Sequence, residues 1–206
     1  MKGNRRFFSA QHDEIKKGKI TDIYFLKTMK ILESLELEDT PVKAEVFAGE
    51  KGIFCGLTEV LNLLEDSECK IYSLREGEKF SKKEVVMRIE GKYSEFGLHE
   101  TAILGVLASS SGWATAAHRC KKAAGDKPVV CFGSRHVHPS VAPVMERAAK
   151  IGGVDGVSCV LAAEILKTKP LGTVPHAAIL IAGSTEKIAE AYDRVMPKDE
   201  LRIILV

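Results

Sequence analysis

The spacing of apolar residues changes along the chain, and its first part mixes helical and strand patterns. Residues 22–37 carry apolar side chains near helical spacing, and Thr21 or Asp22 can cap the first turn, which predicts an amphipathic helix. A short helix is also expected over residues 58–65. Apolar and β-branched runs predict four strands, the first two around a turn: residues 42–48, 52–57, 69–75 and 84–89. Residues 1 to about 93 therefore predict a small α+β domain.

A long segment of small residues follows this domain. Residues 96–124 contain alanine, serine and glycine between leucines at helical spacing, which predicts a helix. We expect this helix to be bent or broken near Gly112, because glycine weakens a helix interior. Small side chains allow another helix to approach closely, so the serines at 109–111 are interpreted as packing residues.

After Lys127 short strands alternate with helices, as is typical of parallel βαβ units. Strands are expected at residues 129–132, 156–159, 172–174 and 202–206, and helices at 140–151, 161–167 and 186–195. The predicted fold class is therefore α/β. It has a small N-terminal α+β domain with connecting helices over residues 1–125, followed over residues 126–206 by the first part of an irregular α/β barrel with parallel strands. Four parallel strands do not close an eight-stranded barrel, so we expect a truncated piece of a longer protein, or an open sheet supported by a partner.

Composition and charge exclude several kinds of partner. The chain has 30 lysines and arginines against 28 acidic residues, and both kinds are interleaved, so no nucleic-acid partner is expected. The longest apolar run, residues 177–182, is far shorter than the roughly 20 residues of a membrane span. Five cysteines without a C-x-x-C pair are interpreted as reduced thiols. We therefore expect a cytoplasmic protein that does not associate with membranes.

Basic side chains concentrate in loops that follow the predicted parallel strands. The first loop contains Arg135, His136 and His138, and a later one contains His176. Because the functional groups of parallel α/β folds lie at the carboxyl ends of the strands, these side chains are expected on one face. Arginine after a Gly-Ser turn offers a rigid fork of donors for a carboxylate or phosphate. A histidine beside a phosphate can act as a base or accept a phosphoryl group. The sequence thus predicts an anion-binding site.

Two alternatives remain open for these histidines. His138 followed by Pro139 is also a typical helix start. Cys131, His136 and His138 are possible metal ligands, although fixed metal sites usually show a fuller set of ligands at motif spacing, so no metal ligand is assigned.

Several segments together resemble one enzyme family. They are TDIYFL at 21–26, SGWAT at 111–115, FGSRHVHP at 132–139, AP at 142–143, IGGVDGVS at 151–158 and GTVPHA at 172–177. In this order, over nearly the whole chain, they are similar to nicotinate phosphoribosyltransferase of the archaeal and clostridial type. The resemblance implies transfer of a phosphoribosyl group from phosphoribosyl pyrophosphate to nicotinate, which gives nicotinate mononucleotide and pyrophosphate. It also implies coupling to ATP hydrolysis, assistance by Mg²⁺, and a role in pyridine-nucleotide salvage and NAD biosynthesis.

The resemblance also implies roles for individual residues. His176 matches a catalytic histidine that is phosphorylated in ATP-coupled members, and Arg135 matches a residue that binds the nicotinate carboxylate or a substrate phosphate. His138 and residues 155–158, including Asp155 and Ser158, would help to line the pocket. Asp22 and Tyr24 match residues that reach into the neighbouring subunit's site, where the tyrosine stacks on the pyridine ring, so a homodimer with shared active sites is expected.

Two further functions stay open. The related quinolinate phosphoribosyltransferase also carries a Ser-Gly-x-Ala-Thr run, but it needs several basic residues for two carboxylates, and the single Arg135 counts against it. A non-catalytic ligand-binding or subunit-interaction module with the same fold is the third possibility.

Overall fold

The computed structural model describes residues 7–204 and confirms the expected fold class. The N-terminal α+β domain begins with two helices, continues through five short strands and ends on a single helical turn. Its elements are α1 (His12–Lys16), α2 (Ile23–Ser34), β1 (Pro41–Phe47), β2 (Gly52–Ile53), α3 (Leu57–Leu63), β3 (Lys70–Ser73), β4 (Lys79–Phe80), β5 (Val85–Lys92) and α4 (Tyr93–Phe96). The helices predicted over residues 22–37 and 58–65 are confirmed as α2 and α3.

The sheet of this domain differs from the expected pairing. β5 is the central strand of a three-stranded antiparallel sheet with the order β1-β5-β3, whereas β2 pairs with β4. The expectation that residues 42–48 and 52–57 pair around a turn is therefore wrong. β1 pairs with β5 along seven residues, and the two-residue β2 pairs with β4, a strand of the same length. The long pairing satisfies more backbone hydrogen bonds and anchors Val86, Met87 and Ile89 of β5 in the core.

The main hydrophobic core lies between this sheet and the helix that follows it. Its buried side chains are Phe54, Val60, Leu64, Val86, Met87, Ile89, Phe96, Ile103 and Leu107. Complete burial of a side chain such as Phe54 contributes about 1.5–3 kcal/mol. The core therefore fixes the position of the helix against the sheet.

That helix, α5 (Glu100–Ala124), runs without interruption through Gly112, so the predicted bend or break there is wrong. A glycine costs a helix interior only about 1 kcal/mol, and the buried side chains of Ile103, Leu107 and Ala114 on either side outweigh it. The irregular segment lies earlier, in the 3₁₀ turn Gly97–His99 between α4 and α5. Ser110 and Ser111 are buried, which agrees with the packing interpretation, whereas Ser109 is exposed and does not fit it.

The C-terminal part alternates strands and helices as predicted. Its elements are β6 (Val130–Cys131), α6 (Ala142–Ile151), β7 (Gly156–Val157), α7 (Val160–Ile165), α8 (His176–Ala182) and α9 (Thr185–Val195), with 3₁₀ turns at Gly133–His136 and Pro139–Val141. β6 and β7 pair in parallel. The strands predicted at 172–174 and 202–206 reduce, within the described residues, to one parallel bridge between Val174 and Ile204, and residues 205–206 lie outside the described part. The sequence reasoning missed α8.

Two contacts join α6 to the N-terminal domain. α6 packs along α5, where Gly152 lies so close to Ala114 that a Cβ at residue 152 would be 2.2 Å from the Ala114 carbonyl oxygen. Arg147 of α6 donates two hydrogen bonds to the carboxylate of Glu76, at 3.2 and 2.6 Å. The domain boundary at residue 125 stays a prediction, since α5 contacts both parts. Within residues 7–204, no helix is long and apolar enough to cross a membrane.

Candidate functional site

The carboxyl ends of β6 and β7 carry the loop that the sequence singled out. After β6 the chain enters the 3₁₀ turn Gly133–His136, which presents Arg135 and His136 to solvent. A Cβ at Gly133 would lie 2.6 Å from the Met145 methyl group, so the turn packs closely on α6 there. Among the described residues Arg135 has no carboxylate partner, which leaves its guanidinium free for an anion.

Glu146 connects this loop to the end of β7, and the sequence reasoning missed it. Its side chain is 0% exposed. One carboxylate oxygen accepts hydrogen bonds from the hydroxyls of Ser134 (2.6 Å) and Ser158 (2.9 Å). The other accepts from the backbone N–H groups of Ser158 and Cys159, both at 2.8 Å. A glutamate on the apolar face of the predicted helix 140–151 was the signal for a buried, hydrogen-bonded carboxylate.

Ser158 is thus brought to the same face as the Arg135 loop, whereas Asp155 is not. Asp155 precedes β7 and lies at the amino end of the parallel pair. Its carboxylate accepts hydrogen bonds from Lys121 Nζ (2.8 Å) and from the N–H of Val129 (2.7 Å), and these contacts lower the pKa of Asp155. Asp155 therefore connects α5 to the amino end of β6.

His138 begins the 3₁₀ turn Pro139–Val141, which confirms the alternative that His138 and Pro139 start a helical segment. Its Nδ1 accepts a hydrogen bond from the Ser140 N–H (3.2 Å) and lies 2.6 Å from the Ser140 hydroxyl. The ring stands edge-to-face with Phe7, with centroids 6.4 Å apart. Because Nδ1 is engaged by the turn, Nε2 is the ring nitrogen that remains for a ligand.

His176 is the first residue of α8 and is exposed. It follows Val174, which bridges to Ile204, so the parallel arrangement extends to this segment. In the order of the chain, His176 therefore follows a third strand-like segment, as Arg135 follows the first.

Asp22 and Tyr24 lie on the N-terminal domain at the start of α2. The Asp22 carboxylate accepts a hydrogen bond from the Thr101 hydroxyl (3.1 Å), and the Asp22 N–H donates to the same hydroxyl (3.0 Å). Tyr24 is 55% exposed, and its ring packs on Phe25 with centroids 4.0 Å apart. Local desolvation and the carboxylates of Glu100 and Asp22 raise the pKa of Tyr24. Both side chains are thus held in place and still accessible.

The possible metal ligands do not form a site. Among residues 7–204 no group of three or more His, Cys, Asp or Glu side chains is placed to hold a metal ion. The sulfur of Cys131 lies 3.7 Å from the sulfur of Met145, and burial raises the pKa of this thiol. Cys131 therefore acts as a packing residue of α6.

The site consists of exposed basic side chains on a turn that α6 and the end of β7 hold in place. Arg135 and His136 stand on a turn packed against α6, and Glu146 fixes that turn to the end of β7. Preorganised donors of this kind favour an anionic ligand and charge that develops on a leaving group.

Comparison with known proteins covers both parts of this architecture. Residues 22–111 match the model of the N-terminal domain of quinolinate phosphoribosyl transferase, and residues 113–206 match the model of its C-terminal domain. The two models meet inside α5.

Three similar proteins illustrate the match. The crystal structure of nicotinate-nucleotide pyrophosphorylase from Pyrococcus furiosus superimposes with a TM-score of 0.94 at 47% identity, covering 98% of this chain and 53% of that one. Nicotinate phosphoribosyltransferase of Bacillus subtilis is 37% identical over 109 residues, which are 52% of this chain and 22% of the relative. Nicotinate phosphoribosyltransferase 2 of Arabidopsis thaliana is 30% identical over 166 residues, 79% of this chain and 29% of the relative. The chain thus spans about half of the similar structure and less than a third of either curated relative.

Proposed function

Because the chain belongs to the quinolinate phosphoribosyl transferase family, we propose that the protein transfers a phosphoribosyl group from phosphoribosyl pyrophosphate to quinolinate. The observation that carries this proposal is the match of both domain models in their natural order over residues 22–206. The near-complete superposition on the Pyrococcus furiosus pyrophosphorylase supports it.

Two expectations from the sequence need correction, the family with its acceptor and the coupling to ATP hydrolysis. The assignment to nicotinate phosphoribosyltransferase is wrong, because the matching domain models are those of quinolinate phosphoribosyl transferase, and so is nicotinate as the acceptor. Coupling to ATP hydrolysis came only with that assignment and is wrong for the same reason. The catalytic role of His176 stays a prediction. Assistance by Mg²⁺ stays a prediction. The single Arg135 was counted against quinolinate phosphoribosyltransferase, and the matching domain models overturn that argument.

Substrate binding follows from the charge of both substrates. Quinolinate carries two carboxylates, and phosphoribosyl pyrophosphate carries phosphates, so the site must offer several cationic donors. Arg135 supplies a planar fork suited to a carboxylate or phosphate. His136, His138 and His176 add donors when protonated, and each is exposed. Glu146 does not bind substrate in this proposal, because all of its contacts are to the loops that it holds.

The reaction needs positioning and charge neutralisation more than a protein nucleophile. The pyridine nitrogen forms a bond to C1′ of the ribose, the C1′–O bond breaks, and pyrophosphate leaves with the bonding electron pair. Cationic side chains stabilise the negative charge of the leaving group. The carboxylate next to the ring nitrogen then leaves as carbon dioxide, and the ring carbon takes up one proton to give nicotinate mononucleotide.

A second subunit completes the proposed site. Asp22 and Tyr24 lie on the N-terminal domain at the start of α2, and both are exposed. In a homodimer they are expected to cover the strand-end face of the partner, where Tyr24 stacks on the pyridine ring. Asp155 remains a candidate only for orienting the strands, given its contacts with Lys121 and Val129.

The function is tested by two product assays on the whole protein. Quinolinate labelled in the carboxylate next to nitrogen is incubated with phosphoribosyl pyrophosphate and Mg²⁺, and carbon dioxide and pyrophosphate are measured. We expect equal amounts of both products, no effect of added ATP, and at least a hundredfold lower rate for Arg135→Ala, because a cationic donor to the substrates is lost.

The acceptor is decided by a parallel assay with nicotinate. Pyrophosphate release with nicotinate and none with quinolinate would overturn the proposal. Arg194→Ala is the matched control, because Arg194 is an exposed arginine in the last turn of α9 and outside the proposed site. Its rate should equal that of the wild type.

A further inference from the structure

A cavity with a cationic lining lies on the N-terminal side of the molecule, between β2, β4 and α5. Its volume is about 370 Å³. Positive charge comes from Lys51, Lys79, Arg119 and Lys122, with His118 beside them. None of its lining residues is acidic. The cavity is separate from the strand-end face, since none of the residues proposed to bind quinolinate lines it.

Within the described residues, the four cations of this cavity share one space without a carboxylate partner, whereas unpaired lysines elsewhere, such as Lys27 and Lys187, do not line it. Lys43, Lys82 and Lys92 each contact a carboxylate within 3.1 Å. In the described part of the chain, neither Lys51, Lys79, Arg119 nor Lys122 has an ion-pair partner. Four like charges around one cavity repel each other unless an anion joins them, so the cavity favours a ligand with at least one phosphate.

The floor of the cavity is rigid. The N–H of Ile53 donates to the Thr115 hydroxyl at 2.9 Å. A Cβ at Gly52 would lie 2.5 Å from that hydroxyl oxygen and 2.7 Å from the Phe80 ring, so the strand and the helix touch there. Thr115, Arg119 and Lys122 follow each other at helical spacing, so one face of α5 presents both cations. The charges therefore stand on regular elements.

A second cavity of about 480 Å³ adjoins the first and is mostly apolar. The two share Lys51, Phe80, Thr115 and Arg119. The apolar walls are formed by Phe47, Phe54, Phe80, Val86, Leu104 and Leu107. On the α5 side the cavity is lined by small residues, since Ala108, Gly112 and Ala116 recur every four residues. A Cβ at Gly112 would meet no atom within 4 Å. This space accepts a flat ring.

We propose that the two joined cavities form a second ligand site for a nucleoside phosphate, with the base in the apolar cavity and the phosphate held by Lys51, Lys79, Arg119 and Lys122. Ring-lined walls beside unpaired cations match the two halves of such a ligand. The site is independent of the proposed transfer reaction and would bind its ligand without turnover.

The test measures amide chemical shifts by NMR during titration with AMP, inorganic phosphate and adenosine. We expect AMP to shift the amides of Gly52, Ile53 and Gly112 and to bind at least tenfold more tightly than phosphate or adenosine alone. The double variant Lys79→Gln, Lys122→Gln should weaken AMP binding at least tenfold. The matched control Lys27→Gln, Lys187→Gln removes two exposed lysines outside the cavities and should bind as the wild type does.

A third variant separates the two cavities. Gly112→Leu fills the apolar one, so its affinity for AMP should fall to that for inorganic phosphate, while its affinity for phosphate stays unchanged. Arg135→Ala should bind AMP normally even though it loses the proposed transfer activity. AMP shifts confined to residues 133–138 and 158–159, or unchanged AMP binding by the folded Lys79, Lys122 double variant, would overturn the proposal.

Discussion

A single buried carboxylate organises the candidate site. Glu146 accepts four hydrogen bonds, two from hydroxyls and two from backbone N–H groups, and it has no contact with solvent. All four donors belong to the loops that follow β6 and β7. The side chain therefore sets the spacing of these loops without standing in the site itself.

Glu146→Gln tests this role. In the glutamine variant the side-chain NH₂ group would face two hydrogen-bond donors of the loops, where the carboxylate oxygen accepted from both. We expect the free energy of unfolding to fall by about 2–3 kcal/mol, because these buried polar groups are left without partners. Urea unfolding followed by circular dichroism measures it. Glu164→Gln on α7, where the side chain is exposed, is the control and should change stability little. An equal loss in both variants would contradict the assignment.

The buried thiol of Cys55 carries a second prediction at this scale. Cys55 is 0% exposed, and burial, together with the charge of Glu76, raises its pKa to about 11. At pH 8 about one thiol in a thousand is then ionised, so iodoacetamide should leave Cys55 unlabelled in the native protein.

Cys120 supplies the internal reference for this experiment. It is exposed on α5 and should be labelled, as mass spectrometry of digested protein can show. In guanidinium chloride both cysteines should react alike. Native labelling of Cys55 as fast as that of Cys120 would refute the prediction.

At the scale of elements, the packing of α5 on α6 depends on a close approach. A Cβ at Gly152 would stand 2.2 Å from the carbonyl oxygen and 2.9 Å from the carbonyl carbon of Ala114. These are backbone atoms in the middle of a long helix, so neither can move aside alone. The two helices would have to separate.

Gly152→Ala is therefore expected to destabilise the protein by about 3 kcal/mol, at the upper end of the cost of overpacking. Gly112→Ala is the matched variant, since its Cβ meets nothing within 4 Å in the same helix pair, and it should stabilise α5 by up to about 1 kcal/mol. Thermal and urea unfolding of both variants give the comparison. Opposite signs support the packing argument, and a neutral Gly152→Ala would contradict it.

At the scale of the whole molecule, the ion pair between Glu76 and Arg147 joins the two parts of the chain, as does the pair between Lys121 and Asp155. Glu76 lies in the turn between β3 and β4, and Arg147 lies on α6. Partial burial raises the pKa of the Glu76 carboxyl, but hydrogen bonds from Arg147 and from the Gly56 N–H outweigh burial and hold it below its ordinary value. A lowered carboxyl pKa means that the pair stabilises the folded state above about pH 4.5 and that this contribution is lost as the pH falls further.

We expect Glu76→Gln to cost about 2 kcal/mol at pH 7, as for hydrogen bonds between charged groups, and to cost much less at pH 3. Urea midpoints between pH 7 and pH 3 measure the difference from the wild type. Glu45→Gln removes an exposed pair with Arg88 and should cost less than about 1 kcal/mol at pH 7. A Glu76→Gln deficit that does not change with pH would refute the linkage.

Local sequence predicted most strands and most helices, although not α1 and α8, because the signals lie within a few residues. α2, α6 and α9 follow apolar spacing, and β5 follows a dense run of β-branched and apolar residues. The same rules failed where contacts with residues distant in the sequence determine the structure. β1 pairs with β5 rather than with its neighbour, and Gly112 stays helical because side chains on both sides of it are buried.

The features of the candidate site also fall into those that local sequence predicted and those that only tertiary contacts revealed. The sequence alone determined the fold class and the cationic loop around Arg135, since a strand end followed by Gly-Ser-Arg-His is a local pattern. It pointed to phosphoribosyl transfer but to the wrong family, which the two domain models corrected. Only the tertiary structure decided that Glu146 joins two loops, that Asp155 lies at the other end of the strands, and that four unpaired cations meet at one cavity. Those contacts join residues from separate elements, and they arise only when packing brings the elements together.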